Sequence, residues 1–318
     1  MERNKPLKNI LVTGGTGFIG SNICKYLVKE KYKIVVFDNN SRGNIGRLNK
    51  IKKNIIFIKG DICNKKDLEK AFKKKINSVI HLAYINGTRY FYEKPIDVLN
   101  VGLKGIINTL ELSKKYKIKN FILASSSEVY QTPNKIPTSE EEILKVPDVY
   151  NPRYSYGAGK IISELMTINY GKKFFKKTII FRPHNVYNED MGNEHVIPQF
   201  VKKIRKTKNG RIKIKGNGKE IRSFIHIEDF INAFDLIFHK GKNLEIYNIG
   251  TSEKISIKKL ALLIAKIMKK KIKLINTTSF KGNTPVRCPK IKKIKKLGFK
   301  QKVKILNGLK KIILTKLK

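Results

Sequence analysis

Short apolar runs alternate with longer amphipathic ones through the first half of the chain. Residues 8–13, 34–37, 55–59, 78–82 and 121–125 are compact stretches of strand length, rich in isoleucine, valine, leucine and phenylalanine. Between most of them lie segments with apolar residues at helical spacing, over 19–30, 65–74 and 98–116. The strand runs are nearly continuous in apolar character rather than alternating. Strands covered by helices on both faces need that pattern, so it predicts a parallel α/β sheet. A further helix is expected from about residue 160 to 170, and residues 178–181 read as another core strand ending at Arg182 and Pro183. Beyond that point the rhythm breaks into short strands, glycine turns such as "KGNGKE" and scattered helices, the clearest over 229–239 and 257–269. The lysine-rich C-terminal tail keeps leucine and isoleucine at helical spacing, so an ordered helix is expected there too.

The first strand runs into "TGGTGFIGS", which places Gly14, Gly17 and Gly20 between a strand and a helix. Glycine there lets the backbone turn sharply, lets a pyrophosphate come close and lets the helix pack on the strand. The helix N-terminus then offers N–H groups and the positive end of its dipole to phosphates. The second strand ends in Asp38, about where such a unit carries a carboxylate for the ribose diol of an adenosine. A carboxylate there repels a 2′-phosphate, which favours NAD over NADP. Asp61, after the third strand in "KGDI", reads either as a helix-capping acid or as a contact to the adenine ring. The fold expected is therefore a Rossmann-type doubly wound parallel sheet over residues 1–183. A smaller mixed α/β lobe, expected to cover the open edge of the sheet, follows over 184–318. The boundary is soft, and the chain is free to return to the first domain.

The formal charge of +45, from 69 Lys and Arg against 24 Asp and Glu in 318 residues, points at first to a polyanion partner. The lysines are spread along the chain, however, and isoleucine and asparagine are abundant while tryptophan is absent. That is the amino-acid profile of AT-rich coding. Clusters such as Lys290 to Lys296 still offer nonspecific phosphate affinity. Cys24, Cys63 and Cys288 show no metal-ligand spacing and no disulfide framework, which fits a reducing, cytoplasmic setting. No targeting segment is visible, and the greasiest stretch, 260–268, is interrupted by Lys266 and too short to span a bilayer.

"YSYGAGK" carries the chemistry. Tyr156 and Lys160 are four residues apart, one helical turn, and so share a face. A free phenol, with a pKa of about 10, is a poor base at neutral pH, and a nearby ammonium lowers that value. Such a pair takes a proton from an alcohol as hydride leaves its carbon. The glycines between the two leave room for a bulky substrate. "FILASSSEVY" is a strand ending in three serines, about thirty residues upstream, and strand C-termini in such sheets face the ligand crevice.

Taken together, "TGGTGFIGS", Asp38, the "HLA" at 81–83, "NVGLKG", "SSSEVY", the Tyr156/Lys160 pair and "RPHNVY" appear in an order that resembles the extended short-chain dehydrogenase/reductases of the nucleotide-sugar epimerase/dehydratase group, over nearly the whole chain. The resemblance implies an NAD-dependent enzyme that oxidises sugar C4 to a 4-keto intermediate. It implies Tyr156 as base, with Lys160 on the nicotinamide ribose and Ser126 on the substrate oxygen. Gly14, Gly17, Phe18, Ile19, Gly20, Asp38, Asp61, Ile62, Leu82, Ala83 and Asn100 would hold the cofactor. Ser127, Arg153, Asn185, Val196, Arg222 and Arg287 would hold a UDP-linked sugar, Arg222 on the diphosphate, with 193–200 covering the nucleobase. Glu128, two residues past Ser126, would act at C5 or C6, or else cap a loop or pair with one of the many lysines; "SEVY" resembles UDP-glucuronate decarboxylases and some 4,6-dehydratases more than plain 4-epimerases, and "NPRYSY", with Arg153, also resembles the decarboxylases. Gly159 stands where many relatives have serine, and Asn188-Glu189 replaces the usual glycine–proline. A homodimer through the helices at 98–116 and 156–170 is also implied, with no membrane partner. A nucleic-acid binder on the same scaffold is the alternative raised by charge, and the sequence carries no nucleic-acid motif.

Overall fold

A computed structural model of the protein describes residues 9–278 and 282–317; Lys8, expected at the start of the first strand, lies outside them. The chain divides into two compact units. The first comprises the chain up to Val129 together with Val146–Arg182 and Ile237–Tyr247; the second comprises Tyr130–Lys145, Pro183–Leu236 and the chain from Asn248 onward.

The elements alternate as the hydrophobic pattern requires. They are β1 (Asn9–Thr13), α1 (Phe18–Lys29), β2 (Lys33–Asp38), β3 (Ile55–Lys59), α2 (Lys65–Phe72), β4 (Ser78–His81), α3 (Thr88–Glu93), α4 (Pro95–Lys115), β5 (Asn120–Ala124), α5 (Ser155–Phe174) and β6 (Lys177–Pro183). There follow β7 (Val186–Tyr187), α6 (Val196–Lys206), β8 (Arg211–Lys215), β9 (Ile221–Ser223), β10 (Ile225–His226), α7 (Ile227–Lys240) and β11 (Glu245–Ile249). The last are β12 (Lys254–Ser256), α8 (Ile257–Ile267), β13 (Lys273–Thr277), β14 (Val286–Arg287), α9 (Lys292–Lys296) and α10 (Ile305–Leu317).

The main sheet has seven strands in the order β11-β6-β5-β4-β1-β2-β3. β1 pairs in parallel with β2 and β4, β2 with β3, β4 with β5, and β5 with β6. The order reverses at β1 and β4, the point at which open sheets of this kind bind ligands beyond their strand C-termini. Leu11, Val35, Val79, Phe121 and Ile180 lie within one apolar cluster with Phe72, Ile106 and Leu110 from the covering helices. α4 buries Val98, Gly102, Ile106, Thr109 and Ser113, a stripe at helical spacing.

α5 inverts the usual pattern. Its buried face is polar, with Tyr156, Lys160, Ser163, Glu164 and Thr167, while Ile162 and Leu165 are exposed. Met166, Ile168 and Tyr170 of the same helix still pack against the main apolar cluster, so α5 both covers the core and buries a polar stripe.

In the second unit β9 lies between β12 and β14, while β8 pairs with β13 and β7 with β10. Asn248 knits this unit together. Its Oδ1 accepts from Tyr130 Oη at 2.8 Å and its Nδ2 donates to the Thr138 carbonyl at 3.1 Å, while its backbone N–H donates to Glu140 at 2.9 Å. The Asn188 carbonyl accepts from Met191 N–H, so a turn forms without glycine–proline.

Candidate active site

The glycine loop is built by close contacts that a side chain would forbid. Gly14 has φ +71°, and a Cβ there would lie 2.7 Å from Ala83 N. A Cβ on Gly20 would lie 2.2 Å from the Gly14 carbonyl oxygen. Leu82 and Ala83 are held over the loop because both of their N–H groups donate to Thr13 Oγ1 at 3.3 Å. Gly17 caps α1 with no side-chain hydrogen bond, and the first turn of the helix has no acidic residue. Phe18, Ile19 and Gly20 therefore open the helix with its positive end uncompensated, as a phosphate site requires. Asp38 is oriented by two backbone donors, Thr16 N–H at 3.0 Å and Asn40 N–H at 2.8 Å.

The loop after Asp38 adds residues that sequence reasoning missed. Asn44 N–H and Arg47 Nη1 both donate to the Thr16 carbonyl, at 3.0 and 3.1 Å, folding this segment back over the glycines. The Arg42 guanidinium lies 4.4 Å from the Tyr90 ring centroid. Thr16 Oγ1 and Asn40 Oδ1 are buried without a hydrogen-bond partner among the described residues. Orphaned polar atoms beside a side-chain-free cradle, an uncapped helix start and an oriented carboxylate together fit NAD. Asp61 Oδ1 accepts from Cys63 N–H at 2.9 Å, and the cap of α2 is Asn64 instead. The helix-capping reading of Asp61 is thus corrected: it closes the preceding turn, and Ile62 is buried beneath. Asn100 lies on the exposed face of α4, where its carbonyl accepts from Cys63 Sγ at 3.7 Å; the residues of "NVGLKG" that turn inward are Gly102 and Gly105.

Tyr156 and Lys160 are both buried in the first turns of α5. Tyr156 stacks on Phe91, with ring centroids 5.0 Å apart, and meets Tyr84 edge-on at the same distance. Ser126 lies beside the phenol and favours its ionised form. Lys160 Nζ donates to the Ala124 carbonyl at 2.6 Å, and lies 4.2 Å from the Tyr84 ring centroid against 5.9 Å from that of Tyr156.

This geometry corrects the simple tuning expected from the spacing. Burial pushes the Tyr156 phenol above its ordinary value, with Ser126 and the Arg42 charge working against it and Glu128 adding to it. Burial also brings Lys160 down to about 7, while Glu164 pulls it up. The lysine thus holds its proton less tightly than a free amine while it donates to a carbonyl and faces a ring, and desolvation outweighs the charges that favour the phenolate at the tyrosine. His81 is likewise held neutral, down to about 3, by burial and the nearby Lys160 charge; its Nδ1 lies 3.0 Å from Thr13 Oγ1.

The structure joins two residues that the sequence had assigned separate tasks. Glu128 Oε2 accepts from Arg153 Nη2 at 3.4 Å, with both side chains largely enclosed. Ser126 Oγ accepts from Glu128 N–H at 3.1 Å, so the serine and the acid are fixed by one short turn. Ser127 begins that turn and is buried. Ser125 is committed elsewhere, donating to Glu164.

The profile of the NAD dependent epimerase/dehydratase family matches residues 10–250. The chain belongs to that family. A dTDP-D-glucose 4,6-dehydratase of Dictyostelium discoideum is 36% identical over 265 residues, covering 79% of this chain and 60% of that relative's length. Among solved structures, the UDP-glucose 4-epimerase of Thermotoga maritima with UDP-glucose has a TM-score of 0.87 at 29% identity, covering 98% of this chain and 100% of its own. The dTDP-glucose 4,6-dehydratase of Bacillus anthracis in complex with NAD has a TM-score of 0.82 at 26% identity, with 96% of each chain covered. As a member of the epimerase/dehydratase family the protein is an NAD-dependent enzyme, and NAD is its cofactor. No helix among the described residues is long and apolar enough to cross a membrane.

The second unit of this family member carries the remaining predicted residues. Arg222 on β9 and Arg287 on β14 are register partners in a parallel pair. Arg222 Nη2 donates to Asn283 Oδ1 at 3.2 Å, and Arg287 Nη2 donates to Thr284 Oγ1 at 3.1 Å. Asn185, at φ +43°, donates from its side chain to the Ser223 carbonyl at 2.8 Å. Val196 is the first residue of α6. In the same unit Lys254, Lys290, Lys292, Lys295 and Lys296 line a cavity of about 730 Å³ beside Cys288.

Proposed function

We propose that this enzyme removes hydride from C4 of a nucleotide-linked hexose, most simply a UDP sugar, and completes the reaction by acid–base work at C5 and C6. The observation that carries the reading is the buried cluster of Tyr156 and Lys160, with Ser126 on the phenol and its peptide beside Glu128. In this reading Gly14, Gly17, Phe18, Ile19, Gly20, Leu82 and Ala83 hold the dinucleotide, and Asp38 takes a ribose diol. NAD, when bound, supplies the hydride acceptor and, in its oxidised form, a positive charge. Tyr156 exchanges the proton of the C4 hydroxyl, and Ser126 hydrogen-bonds both that oxygen and the phenol.

Glu128 favours elimination over simple epimerisation. A 4-epimerase needs no second base once the ketone has formed, because the sugar turns over and takes the hydride back on its other face. Removing the C5 proton does need one. Glu128 is a carboxylate held by a buried arginine and fixed two residues from Ser126. A proton taken at C5 next to the C4 ketone drives out the C6 hydroxyl as water, and the C5–C6 alkene so formed takes the abstracted hydride back at C6 and a proton at C5, so the net change is loss of one water. The 4,6-dehydratase reading is therefore preferred, with decarboxylation of a C6 carboxylate and 4-epimerisation as the other outcomes.

Arg222 and Arg287 supply the diphosphate contact in the same proposal. Their register pairing puts two arginines on one short piece of neighbouring strands. Their planar forks engage phosphate oxygens in pairs. Asn185, Val196, Ser127 and Arg153 complete the substrate set.

The test is incubation of the NAD-loaded enzyme with a panel of nucleotide hexoses and hexuronates, followed by mass and NMR analysis. Loss of one water is expected. Loss of carbon dioxide, or an unchanged mass with an inverted C4, selects the other outcomes, and no turnover of any member overturns the reading.

A homodimer through α4 and α5 belongs to the same proposal. Ile96, Ile107, Ile162 and Leu165 are exposed on these two helices, more apolar surface than a helix facing water carries. Sedimentation at micromolar concentration is expected to give twice the chain mass, and Leu165→Glu is expected to give monomer. A wild-type monomer would remove this part of the reading.

A further inference from the structure

We propose that Tyr84 is a positioning residue, filling the space left open by Gly102 and Gly159 and holding the Lys160 amine against the face of its ring. The inference deepens the reading above, since it matters for catalysis only if Lys160 serves the active site.

Tyr84 lies just beyond β4, after Leu82 and Ala83. Its Oη sits 2.0 Å from where a Cβ on Gly102 would be and 2.1 Å from where a Cβ on Gly159 would be. One glycine is on α4 and the other on α5, so the phenol is seated in a slot made by two missing side chains. The oxygen is buried and has no hydrogen-bond partner among the described residues. Hydrogen bonding therefore does not explain its place, and shape does. The space left at Gly159 goes to Tyr84 rather than to substrate.

The ring has a second task. Its centroid is 4.2 Å from Lys160 Nζ, within the range at which an aromatic face stabilises a cation. Burial together with the neighbouring Tyr156 pushes the Tyr84 phenol up, so it stays protonated and does not compete as a base. The other groups facing Lys160 are Tyr156 and Glu164 on its own helix, His81 on β4 and the Ala124 carbonyl on β5, with Arg182 on β6 behind Glu164. His81 is neutral, so the Tyr84 face, the Ala124 carbonyl and Glu164 are the features that favour the charged lysine in a site whose burial disfavours it.

Two measurements test this, and neither needs turnover. The first is a stability cycle. Gly159→Ala would drive a methyl into Tyr84 Oη, so its melting temperature is expected to fall by several degrees. In a Tyr84→Phe background the nearest remaining atom is the ring carbon at 3.4 Å, and the same substitution is expected to cost almost nothing. Gly102→Ala is expected not to be rescued by Tyr84→Phe, because ring carbons lie 2.2 and 2.7 Å from its Cβ, and to be rescued by Tyr84→Ala. An equal cost for Gly159→Ala in the wild-type and Tyr84→Phe backgrounds would overturn the seating. The second is an NMR titration of the Lys160 side chain. Tyr84→Phe keeps the ring and is expected to keep the midpoint, whereas Tyr84→Leu is expected to lower it by roughly half to one pH unit. An unchanged midpoint in Tyr84→Leu would overturn the role of the ring, whatever the turnover. If the midpoint moves while Lys160→Ala turns over normally, the catalytic reading fails and the placement of Tyr84 stands.

Discussion

Tyr156→Phe is expected to lower kcat by about 10²–10⁴-fold while leaving NAD content unchanged. The substitution removes one oxygen and keeps the ring. The ring carries most of the packing at this position, stacked 5.0 Å from Phe91 and edge-on to Tyr84. The melting temperature should therefore move little. What goes is the hydroxyl beside Ser126, to which the proposed mechanism gives exchange of the substrate proton. The sign of the pH dependence follows from the same surroundings. Burial lifts the phenol, so the rate of a step that needs the phenolate rises with pH and does not level off near neutrality. In Tyr156→Phe that rising limb should disappear along with the activity. Product formation by NMR over a pH series, beside the absorbance of bound cofactor, makes the measurement. Turnover within a few-fold of wild type would remove Tyr156 from the role of acid and base.

The sequence disclosed most of the framework because the framework is written in periodicity. Strands flanked by helices on both faces read as continuous apolar runs, and β1 to β6 each fall within one or two residues of those runs. The glycine loop was legible for the same reason: Gly14 and Gly20 have no room for a Cβ, a constraint that leaves a glycine in the text. Relations between distant residues were not legible. Nothing local marks Tyr84 as the occupant of a slot formed by residues 102 and 159, or Arg42 as a partner of Tyr90. Spacing put Tyr156 and Lys160 on one face but said nothing of the desolvation they share, which decides both proton affinities. The strand β11 was missed because "EIYNI" is short and holds a polar Asn248, a residue that proves to be a hydrogen-bonding hub. The pairing of Arg222 with Arg287 depends on strand register across sixty-odd residues of intervening chain, beyond the reach of any window.

Glu164→Ala is expected to be the most destabilising single change in the site, costing about 3–5 kcal/mol. Glu164 accepts from Arg182 Nε at 2.8 Å and from Nη2 at 2.5 Å, as well as from the Ser125 hydroxyl. Arg182 is among the largest fully buried side chains of the protein. Without the carboxylate its charge would be left inside the fold without this counter-charge, and that penalty exceeds the worth of the pair itself. For a chain of this size the cost corresponds to a fall in melting temperature of roughly 10 °C. Glu164→Gln keeps an acceptor oxygen for the guanidinium and should fall between the two. The same carboxylate is the charge that raises Lys160 against its burial, so its removal should also move the Lys160 midpoint below about 7. The two effects separate experimentally. Double replacement of Glu164 and Arg182 by Leu and Met removes both charges and is expected to recover much of the stability, because a well-packed apolar pair replaces a buried ionic one at little net cost. It is not expected to restore the lysine. A melting temperature for Glu164→Ala within two degrees of wild type would show that Arg182 finds another partner, and that the buried ion pair does not hold the polar face of α5 in place.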